Sequence, residues 1–262
     1  NRDGHVGTGG CIFCSSQGSG DFAGSARLSI AEQIRQGKAD ISSKRPVHSY
    51  IAYFQAFTNT YAPVETLRAL YMEAIADPEV KILSIATRPD CLGADVLALL
   101  DEINQIKPVW VELGLQTIHP ETSAYIRRGY ELSVFEQAVK ELRAIGITVI
   151  VHTILYLPGE TKDDMLDTIH YLNHMDIQGI KLQLLHVLTH TDLAADYEKH
   201  PFYIPDMQDY IQFLGTCIAH LNPEIVIHRL TGDGPKKLLI APLWSADKKK
   251  VMNTINAAVR QL

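Results

Sequence analysis

The chain has 262 residues, 46% hydrophobic and 21% charged, with a formal net charge of −6. This supports a full core, in one large α/β domain or two small ones, and excludes an overall basic field, so any nucleic-acid contact rests on a local patch. Four cysteines without framework spacing, no signal-peptide pattern and no apolar run long enough to span a bilayer exclude a disulfide scaffold and a membrane span, and predict a cytoplasmic protein.

The first feature in chain order is Gly9-Gly10-Cys11-Ile12-Phe13-Cys14. A C-x-x-C on a short loop brings two thiolates within reach of one metal ion or cluster, and the glycines let the backbone fold close around an inorganic core. The same spacing serves a redox dithiol or half a zinc site. The flanks at 1–4 and 15–20 read as loop, against the strand and helix that frame a thioredoxin-type motif. No second C-x-x-C or C-x-x-H follows, against a complete zinc site. Asn1 is not an initiator Met, and residues are expected upstream of it.

Val- and Ile-rich runs bounded by turn residues predict strands over 50–55, 80–86, 109–114, 148–155, 180–186 and 225–230. Amphipathic patterns between them predict helices over 64–76, 94–106, 134–145, 162–175 and 206–221. Leu67, Leu70, Tyr71 and Ala74 form one buried stripe, and Pro63 and Asp163 stand at helix starts. Repeated β-then-α units predict a parallel sheet with right-handed crossovers, in a barrel or partial barrel. In such folds the loops after the strands carry the chemistry. Here they are polar, at 57–60, 87–91, 116–119, 157–160, 186–190 and 231–235, and are expected to face one mouth with the cysteine loop.

Eight stretches in order, NRDG…GTGGCIFCSSQGSGDFAG, YIAYFQAFTNTYAP, SIATRPDCL, WVELGLQT, IRRGY, LPGET, GIKLQLLHVL and HRLTGDGPKKLLIAPLWS, resemble the radical S-adenosylmethionine (SAM) superfamily. Within it they resemble the YhcC/YtqA branch, on the YtqA (MnmL-type) side, related to the catalytic subunit of Elongator and to oxygen-independent coproporphyrinogen oxidase. The resemblance implies an α/β fold, a partial (β/α)6 TIM barrel forming a single domain over 1–262 and truncated at its N-terminus. It implies three cysteines on a [4Fe-4S] cluster with SAM on the fourth iron. Cys11 and Cys14 are two of them. The first would fall ahead of Asn1, so the chain as given is expected to be cluster-poor and inactive.

The resemblance also implies roles for further residues, each with an alternative from the residue itself. Phe13 would lie against the adenine of SAM, or pack under the loop. Asn59 and Gln55, where many relatives carry an acid, would supply polar atoms to the methionine ammonium, or tie off a strand end. Glu112 would contact SAM, or form a buried ion pair, since an unpartnered carboxylate in an apolar strand is costly. Gln116 and Arg128 would bind the ribose and the methionine carboxylate; an arginine fork suits a carboxylate, and the alternative is a solvated helix end. Arg88 would serve the cofactor or pair with Asp90.

Pro158 and Gly159 would offer main chain to adenine, or form a plain turn. His186 would lie on the adenine side, or be a hydrogen-bonded core histidine. Asp233 would anchor a substrate ammonium or cap a turn. Cys91 is the candidate for further radical chemistry as a hydrogen-atom donor, or a small packed side chain.

The implied function is generation of a 5′-deoxyadenosyl radical that abstracts hydrogen from substrate, with an electron from a donor such as flavodoxin or ferredoxin. The implied substrate is the wobble uridine of tRNA, converted from 5-carboxymethylaminomethyl to 5-aminomethyl. Lys236, Lys237 and the run at 248–250 would meet RNA phosphates or form a solvated face. The alternatives are a radical SAM oxidoreductase acting on a metabolite or protein, a non-catalytic zinc or redox C-x-x-C protein, and a cluster-free lyase using His186 or Glu112 as base.

Overall fold

Strands and helices alternate along the chain as the hydrophobic periodicity predicts. The computed structural model describes residues 8–15, 18, 23–44, 46–232 and 234–260. In order these form α1 (Ile30–Ser42), β1 (Tyr50–Phe54), α2 (Val64–Ile75), β2 (Val80–Thr87), α3 (Ala94–Asn104), β3 (Val109–Gln116), α4 (Pro120–Tyr125) and α5 (Leu132–Ala144). There follow β4 (Thr148–Leu155), α6 (Lys162–Leu172), β5 (Gly179–Leu184), β6 (Val187–Leu188), α7 (Asp192–Lys199), α8 (Met207–His220), β7 (Val226–Arg229), β8 (Leu239–Ala241) and α9 (Lys248–Val259).

The six long strands are the six predicted. They form one sheet in the order β1-β2-β3-β4-β5-β7, with parallel pairing between β1 and β2, β2 and β3, and β5 and β7. Within β2, residues 83–87 are all buried, as expected for a strand covered on both faces. The end strands β1 and β7 are more exposed.

Two strand ends differ from the prediction by two residues, the others by one at most. β3 runs on to Gln116. β5 stops at Leu184 because Val187 and Leu188 leave to pair antiparallel with Ala241 and Leu239 of β8.

The chain divides into two compact units. One comprises Ser19–Gly114 and Ser133–Ile150, the other Asn1–Gly18, Leu115–Leu132 and Val151–Leu262. The first unit has a core that includes Leu67, Tyr71, Leu83, Ile85, Leu99, Ile103, Val111, Leu113, Phe135 and Leu142, all buried. In the second unit Ile12, Ile126, Leu157, Leu185, Val187, Leu193, Ala194 and Ala241 form one apolar cluster. That cluster gathers the cysteine loop and the segments that follow β3, β4 and β5.

Helix α6 begins immediately after the loop at 157–160. Thr161 caps it: its hydroxyl accepts from the Asp164 amide, and the Asp164 carboxylate accepts from the Thr161 amide. This reciprocal capping box fixes the loop's exit. Thr161→Ala is expected to lower stability by about 1 kcal/mol, read as a shift in urea midpoint at unchanged slope.

Candidate active site

The cysteine loop is built around its middle residue. The Ile12 amide donates to the Ile126 carbonyl at 3.3 Å, and the Ile12 carbonyl accepts from the Leu193 amide at 2.9 Å. The Ile12 side chain is 5% exposed and sits in the apolar cluster. Gly9 and Gly10 lead in at φ of 80° and 73°, a conformation glycine adopts without strain. The Cys14 amide closes the turn onto the Cys11 carbonyl at 3.2 Å.

Both thiols are half-buried and free of disulfides. Cys11 Sγ lies 3.9 Å from the Arg127 carbonyl, and Arg127 pairs with Asp192 at 2.6 Å. Phe13 packs, partly buried, against the same cluster as Ile12.

Two thiols on one glycine-led turn, neither of them in a disulfide, fit two thiolate ligands of an iron–sulfur cluster. Among the described residues no group of three His, Cys, Asp or Glu side chains could hold a metal ion. A cluster of the implied kind therefore takes one further thiolate, whereas a structural zinc site would take two more ligands.

At the end of β3 the Thr117 amide donates to the Leu115 carbonyl at 2.8 Å, with Gln116 between them at φ 63°. This is a γ-turn with its central residue in the left-handed region. Gln116 Oε1 is buried and has no hydrogen-bond partner among the described residues. Arg128 is 2% exposed. Its Nη1 donates to the Leu115 carbonyl at 3.1 Å and the Thr117 carbonyl at 2.7 Å, and its Nε to the Tyr130 carbonyl at 3.1 Å. The alternative of a solvated helix end does not hold for Arg128, which is a buried guanidinium aimed at main chain.

After β4, residues 157–160 form a turn in which the Glu160 amide donates to the Leu157 carbonyl at 3.1 Å. Pro158 and Gly159 occupy its central positions, with Gly159 at φ 89°; this is the residue order of a type II turn. Glu160 faces inward. Burial pushes its pKa above the ordinary 4.5, while the hydroxyl of Thr117, the charge of His119 and the hydroxyl of Thr122 pull it back. Its Oε1 has no hydrogen-bond partner among the described residues.

A carboxyl raised in the folded state holds its proton more tightly folded than unfolded. Stability from this group is therefore full below about 4.5 and is lost as pH rises through the folded value. Glu160→Gln is expected to raise the melting temperature at about pH 7.5 and to leave it unchanged near pH 4, where both states carry the proton. Equal effects at the two pH values would refute the titration argument.

After β5, His186 Nε2 lies 3.0 Å from Ser245 Oγ. The Ser245 hydroxyl donates to the Pro242 carbonyl at 2.8 Å, so its oxygen accepts and the proton sits on Nε2. Gly232 is required beside it: a Cβ there would come within 2.6 Å of the Leu184 carbonyl and 2.7 Å of His186 Nδ1. Asp233 lies outside the described residues.

The first unit holds the remaining candidates. Asn59 Nδ2 donates to the carbonyls of Phe54 at 3.0 Å and Ala86 at 2.8 Å, and the Asn59 carbonyl accepts from Tyr71 Oη at 2.6 Å. Its amide therefore ties the ends of β1 and β2 together. Gln55, which follows Phe54 in the chain, is half-buried.

Arg88 grips Asp90 through Nε at 2.9 Å and Nη2 at 2.6 Å, the pairing given as the alternative. The Cys91 thiol is buried, and burial followed by the Asp90 charge pushes its pKa up to about 11. It stays a neutral S–H, the form a hydrogen-atom donor needs and a metal ligand does not.

Glu112, 4% exposed, accepts from Tyr53 Oη and Ser84 Oγ, each at 2.8 Å. These two partners are hydroxyls on β1 and β2. The sequence reading missed Ser84 and Tyr53, though Ser84 stands out between apolar neighbours in the buried stretch of β2. It also missed Ile12 as an anchor, Ser245 as a partner of His186, and Glu160 as a half-buried acid.

Residues 4–172 match the radical SAM superfamily, and residues 177–261 match the radical SAM C-terminal domain. The chain belongs to the radical SAM superfamily. This radical SAM protein is 44% identical over 256 residues to the uncharacterized protein YtqA of Bacillus subtilis (strain 168), covering 98% of this chain and 80% of that one. It is 37% identical over 250 residues to YhcC of Escherichia coli (strain K12), covering 95% and 79%.

Among solved structures it resembles the Elp3 protein of the archaeon Methanocaldococcus infernus, with TM-score 0.69 and 15% identity, over 84% of this chain but 58% of that one. It also resembles coproporphyrinogen III oxidase (HemN) of Escherichia coli, with TM-score 0.55 and 16% identity, over 79% of this chain and 50% of that one. At these identities the likenesses show the fold alone, a partial radical SAM barrel. Radical SAM enzymes work with a [4Fe-4S] cluster and SAM. No helix among the described residues is long and apolar enough to cross a membrane.

Proposed function

We propose that this radical SAM enzyme acts on the wobble uridine of tRNA, converting a 5-carboxymethylaminomethyl group to 5-aminomethyl. The observation that carries the radical chemistry is the anchored loop, which presents Cys11 and Cys14 from either side of a buried Ile12. The choice of substrate is supported by the resemblance of the eight sequence stretches to the YtqA (MnmL-type) branch. When bound, the reduced cluster and SAM supply a 5′-deoxyadenosyl radical.

The protein's own residues have four tasks. Cys11 and Cys14 hold iron as thiolates. Gln116 offers a buried acceptor oxygen with no partner of its own, which suits a hydroxyl donor such as a ribose. Pro158 and Gly159 leave main chain exposed at a turn. Cys91 keeps a neutral S–H available to a carbon radical. An external one-electron donor of the flavodoxin or ferredoxin kind completes the reaction, and the lysines at 248–250 and Lys236 and Lys237 are the proposed RNA-phosphate contacts.

The test is anaerobic reconstitution with iron and sulfide of the chain together with its upstream residues, where the resemblance places the third thiolate. Dithionite and SAM are added and 5′-deoxyadenosine is measured by mass spectrometry, first alone and then with tRNA from a strain lacking the protein. Deoxyadenosine together with conversion of the wobble nucleoside supports the whole reading. Deoxyadenosine with unchanged tRNA nucleosides would redirect the search to a metabolite or protein. Stoichiometric zinc and no SAM binding would replace it with a zinc or thiol role.

A further inference from the structure

We propose that Arg128 is a positioning residue that holds the left-handed γ-turn at Gln116, rather than the fork that grips the SAM carboxylate. A guanidinium has five N–H donors: one on Nε and two on each Nη. Two on Nη1 and the one on Nε already meet the Leu115, Thr117 and Tyr130 carbonyls. A two-nitrogen grip on a carboxylate needs Nη2 together with either Nη1 or Nε. Both pairings are broken, since every hydrogen of Nη1 and Nε is engaged.

The three bonds have a clear local purpose. Gln116 at φ 63° brings the carbonyls before and after it onto one side, where a single nitrogen reaches both. Such a backbone is costly for a residue with a Cβ and persists only when its surroundings hold it.

The approach direction of Arg128 is itself fixed by the end of α4. The Arg127 amide donates to the Ala124 carbonyl and the Arg128 amide to the Ser123 carbonyl, each at 3.0 Å, with Arg127 at φ 55°. This is a Schellman motif. It turns the chain back toward the end of β3. The Tyr130 ring lies 5.0 Å from the guanidinium carbon and closes the site over it. The consequence is that the Gln116 amide is held in place before any ligand arrives.

The inference rests on the radical SAM reading only for its ligand arm, so two measurements separate the claims. The first uses cofactor-free protein and follows amide hydrogen exchange over 115–118. Arg128→Ala and Arg128→Lys are expected to speed exchange at Thr117 about tenfold or more, as bonds to a charged donor are lost. Adding Gln116→Gly to Arg128→Ala is expected to recover part of that protection, because glycine holds the left-handed conformation without strain. Unchanged exchange in both single variants would overturn the conformational claim.

The second uses cluster-loaded protein and compares dissociation constants of SAM and decarboxylated SAM by equilibrium dialysis. If Arg128 acts through the turn, Arg128→Ala weakens both ligands by the same factor, and the effect disappears in a Gln116→Ala background. If it grips the carboxylate, Arg128→Ala weakens SAM but leaves decarboxylated SAM at its wild-type value, and the proposal fails. Wild-type protein that binds neither ligand overturns the ligand arm and the radical SAM reading together, while the exchange result still judges the turn.

Discussion

Cys14→Ala is expected to yield a folded protein that holds no intact cluster and forms no 5′-deoxyadenosine above the enzyme-free control. The separation of folding from activity follows from how the loop is built. Its main-chain bonds to Ile126 and Leu193 run through Ile12, and so does its burial in the apolar cluster. Neither thiol contributes to them. The substitution removes one half-buried sulfur, so the unfolding free energy from urea denaturation should move by less than about 0.5 kcal/mol. Iron content and the thiolate-to-iron absorbance should collapse.

Ile12→Ala makes the complementary case. It keeps both cysteines but empties a buried site, at a cost of about 2–4 kcal/mol. A Cys14→Ala protein that retained iron and still cleaved SAM would remove Cys14 from the ligand set.

The second large effect concerns the acid buried in β3. Removing the two hydroxyls of Tyr53 and Ser84 that donate to Glu112, by Tyr53→Phe with Ser84→Ala, is expected to destabilise the protein by about 3–5 kcal/mol. Each bond to a carboxylate contributes about 1.5–3 kcal/mol, and a buried charge that loses its donors retains its desolvation penalty. Chemical denaturation of the two single variants and the double variant tests this. The double variant should lose no more than the sum of the singles if the hydroxyls act independently. A double variant within about 1 kcal/mol of wild type would mean that Glu112 does not depend on these hydroxyls.

The strand positions were legible because parallel strands buried on both faces write continuous Val/Ile runs between turn residues. Helices α2, α3, α5, α6 and α8 were legible because each buries a stripe of four or more side chains. Helix α1 was not, since it buries no residue and relies on a Ser29/Glu32 capping box. Helix α9 buries only Val251 and Ile255, too little for a periodic signal.

At the site, the cysteine spacing was readable and so was the need of Glu112 for a partner. The identity of those partners was not: Ser84 and Tyr53 lie 28 and 59 residues away. The Arg88–Asp90 pair was within reach because only two residues separate its members. Nothing in a glutamine announces a left-handed backbone, so the turn at Gln116, and with it the engagement of Arg128, came only from the structure.

The anchoring of Ile12 bears on how the protein could be handled. In a zinc finger the metal supplies the folding energy, and chelation unfolds the chain. Here the polypeptide supplies that energy itself, through one isoleucine in an apolar cluster and two main-chain bonds. Stripping iron should leave the loop in shape, so that loading becomes a reversible exchange on a standing scaffold rather than a refolding event. Metal-free and metal-loaded protein should then share one thermal transition, and repeated cycles of chelation and reconstitution should return the same yield.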